Sequence, residues 1–151
     1  MSTFDTYIEM VPAAPGGIPP RFTMRYGFKR HIGIQGFQRT INQWLKALLT
    51  AEGSDLSDRA YGTRLTELFG ANVRSASEVQ AAVVLAVQKA TSDVTSRQAK
   101  STNLSSDEIL TEVTVLSIAF DAATLFVSAR VLLKNQSGQG LTVLLPITTA
   151  K

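Results

Sequence analysis

The sequence predicts an α+β domain: two main helices packed on a small antiparallel three-stranded meander, with an extended N-terminal arm and a short strand ahead of them. Three observations carry that prediction. Apolar residues recur at helical spacing in two separate segments, residues 36–51 and 75–97. Three β-branched, apolar runs then follow between Ile109 and Ile147, joined by turn-forming residues. Finally, Pro12, Pro15, Pro19 and Pro20 crowd the first twenty residues, where an uninterrupted helix cannot form.

Taken in order, residues 1–20 are a Pro- and Gly-rich arm, expected to be extended and to reach a neighbouring subunit. Residues 21–151 form the single domain, ample for one core. From Arg21 to Phe28 the pattern has period two, with Phe22, Met24, Tyr26 and Phe28 on one side. The first helix spans Gly36 to Ala51, its face formed by Phe37, Ile41, Trp44, Leu45 and Leu48, with Gly53 as the expected stop. After a polar segment, Arg64–Phe69 is expected as a short helical turn burying Leu65, Leu68 and Phe69.

Ser75 and Glu78 have the spacing of a capping box, in which the serine hydroxyl accepts from a free N–H. The helix they open carries Val79, Val83, Ala86, Val87, Ala90 and Val94 as a stripe and is expected to end near Arg97. Val84 and Leu85 widen the stripe and predict cover on more than one side. The first meander strand sets Val113, Val115 and Ser117 against Thr114, Leu116 and Ile118. A tight connection at residues 121–124 leads into Leu125–Leu133, and Asn135–Gly140 is a turn-rich loop before the last run.

Composition narrows the function classes. There are no cysteines and one histidine, so the ordinary zinc ligand sets are excluded and no disulfide framework exists. Neither a cofactor nor a metal is expected. The net charge is +3, with Arg21, Arg25, Lys29 and Arg30 clustered beside His31. The stacking aromatics and basic stripe of a nucleic-acid reader do not accompany them, so no nucleic-acid partner is expected. Acidic residues and prolines interrupt any secretory pattern at the N-terminus. Charged residues break every apolar run before it could span a bilayer, so no membrane partner is expected.

Catalytic chemistry finds little support. No nucleophile elbow, phosphate loop or dinucleotide fingerprint occurs. The acids Glu52, Asp55 and Asp58 lie in a polar loop, and Asp107 and Glu108 precede a strand and are expected to be solvated. Glycoside hydrolysis needs two carboxyl groups held in register, one with a raised pKa. The expectation is therefore a chain that is not an enzyme.

Two phrases carry a resemblance. Leu48-Leu49-Thr50-Ala51-Glu52-Gly53, followed by Tyr61-Gly62-Thr63-Arg64-Leu65-Thr66-Glu67-Leu68-Phe69-Gly70, resembles the baseplate wedge proteins that initiate the tail sheath in contractile phage tails. The order of elements from Gly36 to Ile147 is similar as well. The resemblance implies a structural role in the virion, made in the host cytoplasm and present in several copies in a ring. Its implied partners are the tail sheath protein, baseplate wedge proteins and the tail tube. Relatives serve contractile secretion machines, and the family has also carried a lysozyme label.

Many members carry Glu-Pro-Arg between the long helix and the meander to bind the wedge core. Here Ser92–Gln98 contains no such phrase, although Asp93 and Arg97 stand four apart and can pair along the helix, a contact of a few tenths of a kcal/mol. The resemblance also implies that an edge strand receives the sheath subunit. Leu141-Thr142-Val143-Leu144-Leu145-Pro146-Ile147 is the candidate edge, because a proline is expected at an edge or strand end. Two alternatives stay open: a cell-wall glycan hydrolase, with Glu52, Asp55 and Glu67 as its acids, and a free-standing binding module.

Overall fold

The computed structural model describes residues 7–11, 21–25, 35–68, 75–121 and 126–148. Helices α1 (Phe37–Leu49) and α2 (Ala76–Ala99) cover one face of an antiparallel sheet. Its strands β3 (Leu110–Asp121), β4 (Phe126–Asn135) and β5 (Gly140–Thr148) lie in that order. This is the predicted α+β arrangement of two helices on a small meander. Ahead of it, β1 (Tyr7–Val11) pairs antiparallel with β2 (Arg21–Arg25). The short strand is thus present from Arg21 through Arg25, and residues 7–11 of the arm are extended and pair with it. Tyr26, Phe28, Lys29, Arg30 and His31 lie outside the described residues.

Helix α1 forms because its apolar residues share a face: Ile41, Trp44, Leu45 and Leu48 are buried, and Phe37 is half-buried. Trp44 is fully enclosed, and its indole N–H donates to Thr91 Oγ1 at 3.2 Å, which ties α1 to α2. The helix stops at Leu49, before the expected Ala51. Thr50 is already extended (φ −77°, ψ 127°), and its N–H and Oγ–H both donate to Lys46 O. Gly53, at φ 82°, is not the stop; it serves the next turn, in which Ser54 N–H donates to Ala51 O.

Helix α2 begins as predicted, with Ser75 Oγ accepting from Glu78 N–H at 3.2 Å. It runs two residues beyond Arg97, and all six residues of its predicted stripe are buried. Cover on a second side is not found. Among the described residues Val84 is half-buried and Leu85 is 64% exposed, while the Val79–Val94 stripe, with Ala82 beside it, faces the core. The turn before α2 is a 3-10 helix, Leu65–Leu68, whose two leucines are buried. Phe69 lies outside the described residues.

Strand β3 departs from simple alternation at two bulges. Between the Leu110–Asn135 and Glu112–Lys134 pairs, and again between Val115–Val131 and Ser117–Arg130, β3 has one residue more than β4. At each step two consecutive residues are exposed, Thr111 with Glu112 and Leu116 with Ser117. The second bulge reverses the predicted facing. Ile118, not Ser117, continues the core side of Val113 and Val115, and its pair on β4 is the buried Ala129. A regular period-two reading has no place for the extra residue. The connection at 122–125 is outside the described residues.

The start of β3 is held by both helices. Thr40 Oγ1 and Gln98 Nε2 each donate to Glu108 O, at 2.7 and 2.8 Å, and Leu110 N–H donates to Gln98 Oε1. Glu108 is therefore buried rather than solvated, and its carboxylate is paired with Arg39 at 3.2 Å. The β4–β5 turn is built on the buried Asn135. Its Nδ2 donates to Asp107 O and Gln139 Oε1, while Oδ1 accepts from Gln139 N–H and the Ser137 hydroxyl. Gly138 turns the chain at φ 85°.

Candidate protein-interaction site

The sequence places its interaction site on the last strand, and the sheet order leaves β5 at an edge with β4 inside. Val143, Leu145 and Ile147 are buried in the core, so the strand is both a structural element and an edge. The ladder fixes which of its backbone groups are open. Asn135 N–H donates to Gln139 O at 3.0 Å, one step beyond the Lys134–Gly140 pair. In an antiparallel ladder, directly opposite residues alternate between exchanging hydrogen bonds and not. Counting from Asn135–Gln139, the bonded positions of β5 are Leu141, Val143, Leu145 and Ile147. Gly140, Thr142, Leu144 and Pro146 turn their backbone groups away from β4.

Pro146 falls on an outward position, so its missing N–H costs the β4 ladder nothing. It also divides the free edge. An incoming strand finds the donors of Thr142 and Leu144 together, then a gap at Pro146. The opposite edge differs: β3 carries two bulges, which twist and interrupt a pairing surface, whereas β5 pairs with β4 through nine consecutive positions without a register shift.

The other candidate pair, Asp93 and Arg97, is not brought together as a pair. The Asp93 carboxylate binds Lys89 Nζ through Oδ1 and accepts from Gly62 N–H through Oδ2 at 3.0 Å. The Arg97 guanidinium stacks on the Tyr61 ring, 3.5 Å from its centroid, and approaches Asp58 and Asp55 at 3.6 and 3.8 Å. Both residues point at the segment 50–63 and hold it against α2. Sequence spacing along one helix could not reveal partners that lie on a loop some thirty or more positions earlier.

That loop joins the two phrases on which the resemblance rests. Thr63 N–H donates to Thr50 O at 2.8 Å, Glu52 N–H donates to Thr63 O, and Ala51 and Thr63 form a parallel bridge. The buried Thr63 hydroxyl donates to Leu48 O at 2.6 Å and accepts from Leu65 N–H. One side chain thus satisfies a carbonyl at the end of α1 and an amide at the start of the 3-10 turn. Gly62 is required between them. Its φ is 101°, and a Cβ there would lie 2.6 Å from Thr50 O.

The acids of the hydrolase alternative are occupied in a different way. Ser57 donates to Asp55 Oδ1 through both its hydroxyl and its N–H, and these bonds hold the Asp55 carboxyl below its ordinary value. A general acid needs the opposite shift. Glu52 and Glu67 share the Arg64 guanidinium, at 3.7 and 3.2 Å, on the rim of a cleft of about 490 Å³ whose apolar wall is Leu68, Ala82, Leu85 and Ala86. Among the described residues, no group of His, Cys, Asp and Glu is arranged to hold a metal ion, and no helix is long and apolar enough to cross a membrane.

Fold and site together describe an α+β domain in which β5 is a regular sheet edge with no further strand paired to it among the described residues. Comparisons with protein-family models, with curated proteins and with solved structures each find no match.

Proposed function

We propose that this chain is a structural, non-enzymatic subunit of a contractile tail baseplate, which starts the sheath by accepting a strand of the first sheath subunits at β5. The carrying observation is the asymmetry of the sheet edges: β5 is regular and open, while β3 is interrupted by bulges. Main-chain hydrogen bonds at such an edge supply affinity, and alternate side chains of the added strand supply specificity. In this reading wedge proteins and the tube are further neighbours, in a ring of several copies in the virion. The resemblance of the Leu48–Gly53 and Tyr61–Gly70 phrases supports the same role.

Removing β5 altogether is a poor test, because Val143, Leu145 and Ile147 are core residues. Thr142→Pro is cleaner. It deletes one outward N–H and leaves the bonded positions of β5 intact. The folded variant, checked by circular dichroism, is expected to lose sheath nucleation in a reconstituted tail assembly. Wild-type nucleation by that folded variant refutes strand addition at β5.

A further inference from the structure

Edge strands of native sheets are commonly guarded by charged residues, bulges or prolines. β3 has bulges and charges together, with two irregular steps and with Glu112 and Asp121 along it. β5 has neither. From Asn135 to Ala150 the sequence holds no charged residue, and the strand's one guard is Pro146, close to its end. Leu141 adds a second anomaly. It lies on the same side of the strand as the buried Val143, Leu145 and Ile147, yet it is 44% exposed.

We propose that β5 pairs with β5 of a second copy of this chain, antiparallel about a two-fold axis at Val143, and that this dimer withholds the edge from other strands. The strand is complementary to itself in that register. Thr142 exchanges both backbone hydrogen bonds with Leu144 of the second copy, and Leu144 with Thr142, through the groups that face away from β4. Gly140 N–H donates to the Pro146 carbonyl of the second copy. The N–H that proline lacks is missed only at the end of the ladder, where the Gly140 carbonyl stays in water. On the core side Leu141 lies opposite Leu145 of the second copy, and Val143 opposite Val143, so the exposed leucine gains apolar cover. No like charges meet. Other axes serve worse. One at Leu144 sets Pro146 against Thr142 and strands the Thr142 carbonyl inside the ladder. One at Thr142 ends the ladder at Leu144 and leaves Leu145 without an opposite residue.

The seven residues from Gly140 to Pro146 extend about 24 Å and a sheet is about 10 Å thick, so the contact buries roughly 500 Å² in total. A stable, specific interface needs roughly 1,000 Å². The pairing is therefore weak: dilute chains are monomers with Thr142 and Leu144 open, and concentrated chains pair. Its use rests on the proposed function. A dimer that occupies these donors keeps free subunits from starting sheath away from the baseplate, and a sheath strand competes for the same groups.

The chain has no cysteine, so single substitutions report the pairing directly. Thr142→Cys and Leu144→Cys chains, one carrying a mass tag, are mixed at high concentration and mildly oxidised. Opposite positions lie about 5.5 Å apart at Cα, within disulfide reach, whereas two copies of one position lie beyond the limit of about 7 Å. The expected product is a disulfide-linked mixed dimer, absent when either chain is oxidised alone. In the wild type, exchange of the Thr142 and Leu144 amides should slow as concentration rises. Absence of the mixed dimer overturns the proposal, as does equal cross-linking of either chain with itself or amide exchange that ignores concentration. The locked dimer should fail to nucleate sheath and recover on reduction; nucleation by the locked form overturns the withholding. The two readings fail separately. If the mixed dimer forms but neither reduced nor wild-type chains nucleate sheath, the sheath role falls and the pairing stands. If it does not form while Thr142→Pro still abolishes nucleation, the pairing alone falls.

Discussion

Gly62→Ala is the substitution that most sharply tests how the loop 50–63 is held. The new Cβ would meet Thr50 O at 2.6 Å and the Ala51 carbonyl at 3.1 Å, and both obstacles are backbone that cannot rotate aside. Three costs combine. A non-glycine residue at φ 101° loses about 1–2 kcal/mol. Forcing apart a packed contact costs about 1–3 kcal/mol. Displacing Gly62 N–H from the Asp93 carboxylate removes a charge-assisted hydrogen bond of about 1.5–3 kcal/mol. One backbone shift relieves part of the clash while stretching the hydrogen bond, so these costs overlap rather than add. The expected total is roughly 3–5 kcal/mol, or a fall in Tm of roughly 6–20 °C for a chain of this length.

Gly53→Ala supplies the control. Its φ is also positive, 82°, but a Cβ there meets nothing within 4 Å. Only the backbone cost of about 1–2 kcal/mol remains. Urea and thermal unfolding of both variants isolate the close approach. Equal destabilisation by the two substitutions refutes the claim that Gly62 is required by the contact with Thr50 and Ala51.

Two further outcomes concern the frame of the sheet and its pH response. Asn135→Ala leaves the Asp107 carbonyl and Gln139 amide without their buried partner, and should cost roughly 2–3 kcal/mol in urea unfolding; a cost below about 0.5 kcal/mol contradicts the assigned role of its side chain. Burial raises the Tyr61 phenol above its ordinary value, against the lowering effect of Arg97. A raised pKa in the folded state gives stability that is complete below about pH 10 and lost as pH rises through the folded value. The urea midpoint of the wild type should therefore fall more steeply above pH 10 than that of Tyr61→Phe; parallel curves contradict it.

Much of this architecture is legible in the residues, for identifiable reasons. Both long helices show because a single buried stripe repeats at 3.6 residues, and Ser75 marks the second start by its hydroxyl. The meander shows because β-branched runs are separated by turn chemistry at Asn135–Gly140. What failed depended on tertiary partners. Leu116 looks like one more alternating residue until β4 supplies a register with one position too few. Glu108 reads as solvated because Arg39, Thr40 and Gln98, which enclose it, are remote in sequence or on another element. Asp93 and Arg97 were legible as charged positions on α2, but their partners Gly62, Tyr61, Asp55 and Asp58 come from the loop. The outward donors of β5 follow from the ladder phase that the Asn135–Gln139 hydrogen bond sets, which no residue pattern encodes.

Amide hydrogen exchange on the assembled complex with sheath protein tests the central claim most directly. In the free chain, Thr142 and Leu144 N–H face away from β4 and should exchange quickly, while Val143 and Leu145 are protected by the ladder. Strand addition at β5 predicts that Thr142 and Leu144 become protected when sheath subunits bind. If both amides exchange as fast in the complex as in the free chain, strand addition at β5 is ruled out.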